Sequence, residues 1–307
     1  MHRLTVPAVL ARNVAGAWGD AGRRWLADLP GVVAAVAADW RLTLADPYDL
    51  TYHWVAPATR ADGAPVVLKL GVPGSPQLAT EAAALTAYGG CGAVALLAHD
   101  PARGALLLER ADPGTPLRAL VPAADDEATA AVADVARRLH RPPPPGHGLP
   151  GLARLGRAFD GYLRSFPDDG PLPRGLVGKA AEVFAGLLAT APAGVLLHGD
   201  LHHDNVLRAT RERWLAIDPH GLVGDPGYEA GALLYNPDPT RPDARLLPLV
   251  LPRVEALAHG LGLSADRVVA WGFVKAVLSE VWTVEDGGAP GGQAFAVARL
   301  LAGHLSV

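Results

Sequence analysis

One cysteine, Cys91, stands in 307 residues, so no disulfide can form within the chain and a reducing, cytoplasmic compartment is the expectation. Beside a turn in YGGCGAVALL, Cys91 reads as small apolar filling rather than a reactive thiol. Basic charge is not in excess either: 27 Lys and Arg face 31 Asp and Glu, a net charge of −4. Nucleic-acid binding, which needs a basic footprint, is therefore not expected. No run approaches the ~20 apolar residues of a membrane span, and MHRLTVPAVLARNVAGAWGD lacks the unbroken apolar core of a signal peptide. No internal repeat is visible. What the chain does have is a globular composition, half hydrophobic and 19% charged, and a length that suits two domains or one bilobal unit.

The texture changes along the chain. Trp25, Leu26, Leu29, Val32, Val33 and Val36 recur at near-helical spacing, and Pro30-Gly31 is expected to split them into two short helices. WRLTLA, YHWVAPAT and PVVLKL then read as an antiparallel meander with turns at Asp46-Pro47 and Asp62-Gly63. A helix over 77–88, stopped by Gly89-Gly90, and two strands over 94–99 and 105–110 complete a small lobe. ADPGT at 111–115 predicts a turn-like hinge. Beyond it the pattern is mostly helical, over 125–140, 152–166 and 175–190 and again from about 226, with a stiff Pro142–Pro145 spacer. Only GVLLHG and WLAIDP read as strands there. The expected fold is α+β and bilobal, with an antiparallel-sheet N-lobe at 1–110 and a mainly helical C-lobe at 111–307.

The densest polar cluster is HGDLHHDN, His198 to Asn205, entered from an apolar strand. Thirteen residues after Asn205 a second apolar run ends in Asp218. Amide and carboxylate oxygens at the ends of two strands suit hard Mg²⁺, which takes few protein ligands and fills its shell with phosphate oxygens. Asp200 can face the same place and handle an attacking hydroxyl, as phosphoryl transfer requires. Lys69 ends a strand in the first lobe, where an ammonium can reach nucleotide phosphates, and Glu81 on the next helix can hold it extended.

In that order these stretches resemble the aminoglycoside phosphotransferase family, whose fold is that of protein kinases, and within it the streptomycin 6-phosphotransferase and hydroxyurea phosphotransferase branch. The likeness rests on TRADGAPVVLKL, GALLLERADPGTPL, LLHGDLHHDNVL, WLAIDPHGLVGDPGYE and VWTVEDG, which span most of the chain. It implies ATP and Mg²⁺ as cofactors, Asp200 as catalytic base, Asn205 and Asp218 as metal ligands, and Lys69 with Glu81 on the phosphates. It further implies backbone groups of Glu109 to Ala111 on adenine, and His198 and Asp225 as structural supports of the loop. The hairpin ADPYDLTYHW departs from the pattern, lacking the glycines that let a phosphate-covering loop approach nucleotide.

Other readings weigh against these. Asp225 serves as a helix cap before Pro226. His198, His202, His203 and His220 could form a transition-metal cluster of a hydrolase, but no upstream Asp-x-His completes it. Trp271 and Trp282 fit a helical core, with Trp282 kept as a substrate candidate beside Glu229. Glu285 and Asp286 end a helix, where acids oppose the dipole, and so are candidates for a cationic substrate. The expected partner is a small molecule, a cationic antibiotic of the streptomycin kind; hydroxyurea, another small metabolite, or nucleotide binding without catalysis are the alternatives. A monomer or weak dimer is expected, with no nucleic acid and no membrane.

Overall fold

The computed structural model describes residues 6–306. Val307 and the first five residues, part of the stretch read above for a leader, lie outside the described residues. The chain divides into two compact units, Met1–Asp112 and Pro113–Val307.

The first unit opens with a long helix, α1 (Ala8–Asp39), kinked at Gly19, whose φ of 52° and ψ of −127° leave the helical region. The break expected at Pro30 does not occur; the helix runs through it. A helix-interior proline costs about 3 kcal/mol. Trp25, Leu29, Val33 and Val36 straddle Pro30 on one buried face, and burying side chains of this size contributes about 1.5–3 kcal/mol each. Pro30 itself is exposed, so water can serve the carbonyl it leaves unbonded.

Five antiparallel strands follow in the order β1-β2-β3-β5-β4: β1 (Leu42–Leu44), β2 (Trp54–Arg60), β3 (Pro65–Leu70), β4 (Leu96–Asp100) and β5 (Ala105–Glu109). On the central β3, Leu68 and Leu70 join Trp54 and Ala56 in the core that α1 covers. Side chains alternate across a strand, so Lys69 takes the opposite face, in register with Val55 and Leu106. Helix α2 (Pro76–Tyr88) starts on Pro76 and stops at Gly89, whose φ of 57° is left-handed. Gly104 at the β4–β5 turn (φ 62°) lets the backbone approach so closely that a Cβ there would lie 2.2 Å from the Gly71 carbonyl oxygen.

The second unit begins with the segment read as a hinge. Pro113–Pro116 is instead a short strand, β6, in a three-stranded sheet of order β6-β8-β9 with β8 (Val206–Ala209) and β9 (Trp214–Ala216). Its two prolines withhold N–H groups, and the ladder to β8 is accordingly irregular. A second, two-stranded sheet pairs β7 (Val195–Leu197) with β10 (Leu222–Gly224). The helices are α3 (Asp125–Leu139), α4 (Gly156–Ser165), α5 (Arg174–Ala189), α6 (Gly227–Tyr235), α7 (Val250–Leu261), α8 (Ala265–Glu285) and α9 (Gln293–Ala302). The helix expected from Leu152 starts with a 3-10 turn and becomes α-helical at Gly156. The α8 helix is the centre of this unit: Val268, Trp271, Phe273, Val274, Val277, Leu278 and Val281 are all buried, as in a helix covered on every side.

Candidate active site

Two antiparallel pairs bring the polar cluster together. In β8–β9, Val206 opposes Ala216, and beyond it the Ile217 N–H donates to the Asn205 carbonyl (2.9 Å). In β7–β10, Leu197 opposes Leu222, and the Gly221 N–H donates to the His198 carbonyl (3.2 Å). The loops 198–205 and 217–221 thus emerge side by side. The buried His198 ring links them, Nε2 lying 2.8 Å from the Ile217 carbonyl oxygen while Nδ1 accepts from the Asp200 N–H (3.3 Å). These two bonds require a neutral ring with its proton on Nε2. Burial favours the same state by lowering the pKa of His198, against the opposing charges of Glu229 and Asp200.

Asp200 is half-buried, its carboxylate 3.5 Å from His202 Nε2 and 3.9 Å from His220 Nε2. Burial opposes its ionisation, but the hydrogen bond and charge of His202, joined by His220 and Lys275, prevail and hold the carboxyl far below its usual range. The Asn205 amide nitrogen donates to the Asp200 carbonyl (2.9 Å) and lies 3.3 Å from His202 Nε2. With that nitrogen tied inward, Oδ1 is the atom that could serve a metal. Asp218 comes two residues after the end of β9, exposed, in the left-handed conformation (φ 58°) that re-aims a chain within one residue. Asn205 and Asp218 therefore share one end of the β8–β9 hairpin, an all-oxygen pair of the kind Mg²⁺ takes. Among the described residues no three His, Cys, Asp or Glu side chains are arranged to hold a metal.

Behind the loop lies a buried frame. Glu229 on α6, weighed in the sequence as a substrate contact, accepts instead from the backbone N–H groups of His198 (2.7 Å) and Gly199 (2.9 Å). It is fully buried, with both carboxylate oxygens occupied, so it positions the loop from behind. Asp225 does accept from the Gly227 N–H (2.9 Å), as a cap would, but its second oxygen takes Trp271 Nε1 (2.7 Å) and the Arg267 guanidinium of α8. The sequence reading missed Lys275. Its Nζ, on α8, donates to the Gly199 carbonyl (2.8 Å) and sits 4.1 Å above the Tyr228 ring. The signal was present: a lysine inside the apolar run AWGFVKAVL has to be partnered or neutralised.

In the first unit, Lys69 Nζ and Glu81 Oε2 form an ion pair of 2.6 Å. The Glu109 N–H donates to the Ala95 carbonyl (2.8 Å), its side chain accepts from the Ala95 N–H (2.9 Å), and Ala111 is nearly buried. The hairpin between β1 and β2 exposes Tyr48 and Tyr52. In the second unit Trp282 is half-buried near the end of α8, where Glu285 and Asp286 are exposed. Partial burial, then the charge of Asp286, raises the Glu285 pKa. Trp271 belongs to the core, edge-on to Tyr228 (5.4 Å) and Phe184 (6.0 Å).

Residues 47–287 match the family model described as aminoglycoside/hydroxyurea antibiotic resistance kinase. Streptomycin 6-kinase of Streptomyces griseus is 36% identical over 292 residues, covering 92% of each chain. Hydroxyurea phosphotransferase of Kitasatospora aureofaciens is 38% identical over 289 residues, covering 92% of this chain and 81% of that one. Among solved structures, an aminoglycoside phosphotransferase of Streptomyces rimosus in complex with ADP and streptomycin superposes with a TM-score of 0.53 at 19% identity, over 81% of this chain and 97% of that one. On this likeness along nearly its whole length, the chain belongs to the aminoglycoside/hydroxyurea antibiotic resistance kinases, phosphotransferases with a hydroxyl acceptor and a protein-kinase-like α+β fold.

Proposed function

We propose that the protein transfers the γ-phosphoryl group of ATP to a hydroxyl of a streptomycin-like aminoglycoside and so confers resistance to it. The carrying observation is the loop itself: the Asp200 carboxylate lies 3.5 Å from His202 Nε2 and 3.9 Å from His220 Nε2, with the Asn205 amide nitrogen 2.9 Å from the Asp200 carbonyl oxygen. In the reaction the acceptor oxygen bonds to the γ-phosphorus, the bond to the ADP leaving oxygen breaks, and the acceptor proton passes to an Asp200 carboxylate oxygen. A carboxylate is a weak base toward an alcohol. It orients the hydroxyl first and takes the proton late, as a loose phosphoryl-transfer transition state asks.

Mg²⁺, when bound, neutralises the phosphate oxygens, and Asn205 Oδ1 with the Asp218 carboxylate would hold it. Lys69, kept extended by Glu81, holds the phosphates. The backbone between Glu109 and Ala111 receives adenine, with the N-lobe at 1–110 and the C-lobe at 111–307. The protein acts as a monomer or weak dimer in the cytoplasm. Glu285 and Asp286, with Trp282 nearby, receive the guanidinium groups of the acceptor.

A second reading, hydroxyurea as acceptor, is favoured by the hydroxyurea phosphotransferase relative and would need no acidic subsite. ADP release from Mg·ATP over a panel of streptomycin, other aminoglycosides and hydroxyurea separates the two. A streptomycin-dependent signal that Asp200→Ala abolishes, with ATP binding kept, is expected. Near-wild-type turnover by Asp200→Ala would sink the mechanism.

A further inference from the structure

The loop that carries Asp200 contains a glycine at its most consequential point. Gly199 has φ +90°, a conformation that side chains rarely adopt, and a Cβ there would press on Leu222 and His220 at 3.0 and 3.1 Å. Glycine gains the conformation but loses stiffness, and on its N–H side the peptide between Gly199 and Asp200 is held only by the long 3.3 Å bond to His198 Nδ1. A rotation of that peptide would swing the Asp200 carboxylate away from an acceptor hydroxyl. Glu229 fixes the N–H groups of His198 and Gly199 and so governs the chain up to Gly199. The next group, the Gly199 carbonyl, is held by Lys275 Nζ at 2.8 Å.

Lys275 is built in, at 1% exposure. Its stem crosses α6 at Gly231, where a Cβ would lie 2.7 Å from the lysine Cδ and 2.9 Å from its Cβ and Cγ. Its ammonium rests on the Tyr228 ring. A buried ammonium is costly unless hydrogen-bonded and near opposite charge; burial lowers the Lys275 pKa, and the carboxylates of Asp200 and Glu229 oppose that shift.

We infer that Lys275 is a positioning residue for phosphoryl transfer: its ammonium locks the Gly199–Asp200 peptide so that the Asp200 carboxylate is aimed at the acceptor hydroxyl. The inference rests on the base role proposed above for Asp200.

Lys275→Met keeps the stem and removes the donor. Its kcat is expected to fall about 10–100-fold, the usual consequence of misplacing a reacting group by about an ångström, while the Kd for ATP by calorimetry stays within about twofold. A merely structural lysine would lower stability and rate together whatever stands at position 200. We therefore expect Lys275→Met to cost less than about threefold in an Asp200→Asn background, because residues acting as one unit are not additive. Unchanged kcat in folded Lys275→Met, or an equal loss in both backgrounds, overturns the inference.

Should Lys275→Met not fold, Gly231→Ala presses on the same stem and is expected to lower kcat with ATP binding kept. A folded Gly231→Ala with wild-type kcat would then overturn it. If Asp200→Asn itself turns over at the wild-type rate, the base role fails, and the crystal structure of Lys275→Met (or Gly231→Ala) still decides the geometry. A rotated Gly199 carbonyl supports the lock, and an unmoved one removes it.

Discussion

The Lys69 ammonium and the Glu81 carboxylate meet at 2.6 Å inside the first unit, at 5% and 2% exposure. One charge comes from the central strand of a sheet and the other from α2, so the pair ties helix to sheet while extending the lysine along the strand face. Removing one partner of a buried pair costs about 3–5 kcal/mol, because the other charge is left uncompensated. Glu81→Gln keeps the volume and should lower stability by about that amount in urea unfolding, with a raised KM for ATP. Lys69→Met should lower kcat more than Glu81→Gln does, since it removes the group that would touch phosphate. Equal stability of Glu81→Gln and wild type would show that the Lys69 charge is compensated by water and not by Glu81.

A different pair fixes the second unit. Asp225 receives the Gly227 N–H, the Trp271 indole N–H and the Arg267 guanidinium, and so joins the start of α6 to α8. Asp225→Asn removes the charge and leaves Arg267 facing a neutral amide. Arg267 keeps some exposure, so the expected loss sits at the low end, about 3 kcal/mol. In the fraction that remains folded, kcat should be within a few-fold of wild type, because the Asp225 side chain is buried on Gly227, Trp271 and Arg267. A large fall in kcat at unchanged stability would assign it a direct role.

Within each unit, the placement of these candidate residues could be read from residue types in order. The strand ending in Lys69, the loop from His198 to Asn205 and the strand ending before Asp218 announce themselves by apolar runs that deliver polar groups at their ends. The fold's failures of legibility have physical causes. The α1 helix survives Pro30 because tertiary burial outweighs a local propensity. DPGTP looks like a turn, and nothing local reveals that its partner is β8, some ninety residues away. Glu229 and Lys275 were illegible as a pair because they act on backbone atoms of His198 and Gly199, and only the fold brings α6 and α8 behind that loop. Asp125, in the first turn of α3, forms a buried ion pair with Arg253 of α7 (2.6 Å), which nothing in its local sequence announces.

His203 offers a pH test. It is wholly buried, and both ring nitrogens lack a hydrogen-bond partner among the described residues. Burial, helped by the charges of Arg253, His202 and Arg118, pushes its pKa from 6.5 down to about 2. The unfolded chain therefore binds a proton below pH 6.5 that the folded chain refuses until about pH 2. Stability contributed by the neutral ring is complete above 6.5 and is lost as pH falls, by about 2 kcal/mol between pH 6.5 and 5. Melting temperatures measured from pH 7.5 to 5 should fall less steeply for His203→Leu than for wild type. Parallel curves would mean that the ring finds a proton acceptor or a water when the protein is folded.

The acids at the end of α8 are the subsite proposed for a guanidinium-bearing acceptor. Glu285 and Asp286 stand where a helix dipole repels them and where Glu285 is already shifted toward its protonated form by partial burial and by its neighbour. A guanidinium arriving there would relieve both effects, so its binding should expel protons and weaken as pH falls toward the raised Glu285 pKa. For a streptomycin-like acceptor, the double substitution Glu285→Gln with Asp286→Asn should raise the acceptor KM about tenfold. That corresponds to about 1.4 kcal/mol, in the range of a charge-assisted contact. The KM for ATP should not move, and the acidic limb of the acceptor KM should flatten. For hydroxyurea, small and neutral, the same double variant should leave KM unchanged at every pH. Steady-state kinetics with both acceptors on one preparation reads the difference directly. If streptomycin turns over with the same KM in variant and wild type, its guanidinium groups are bound elsewhere in the protein.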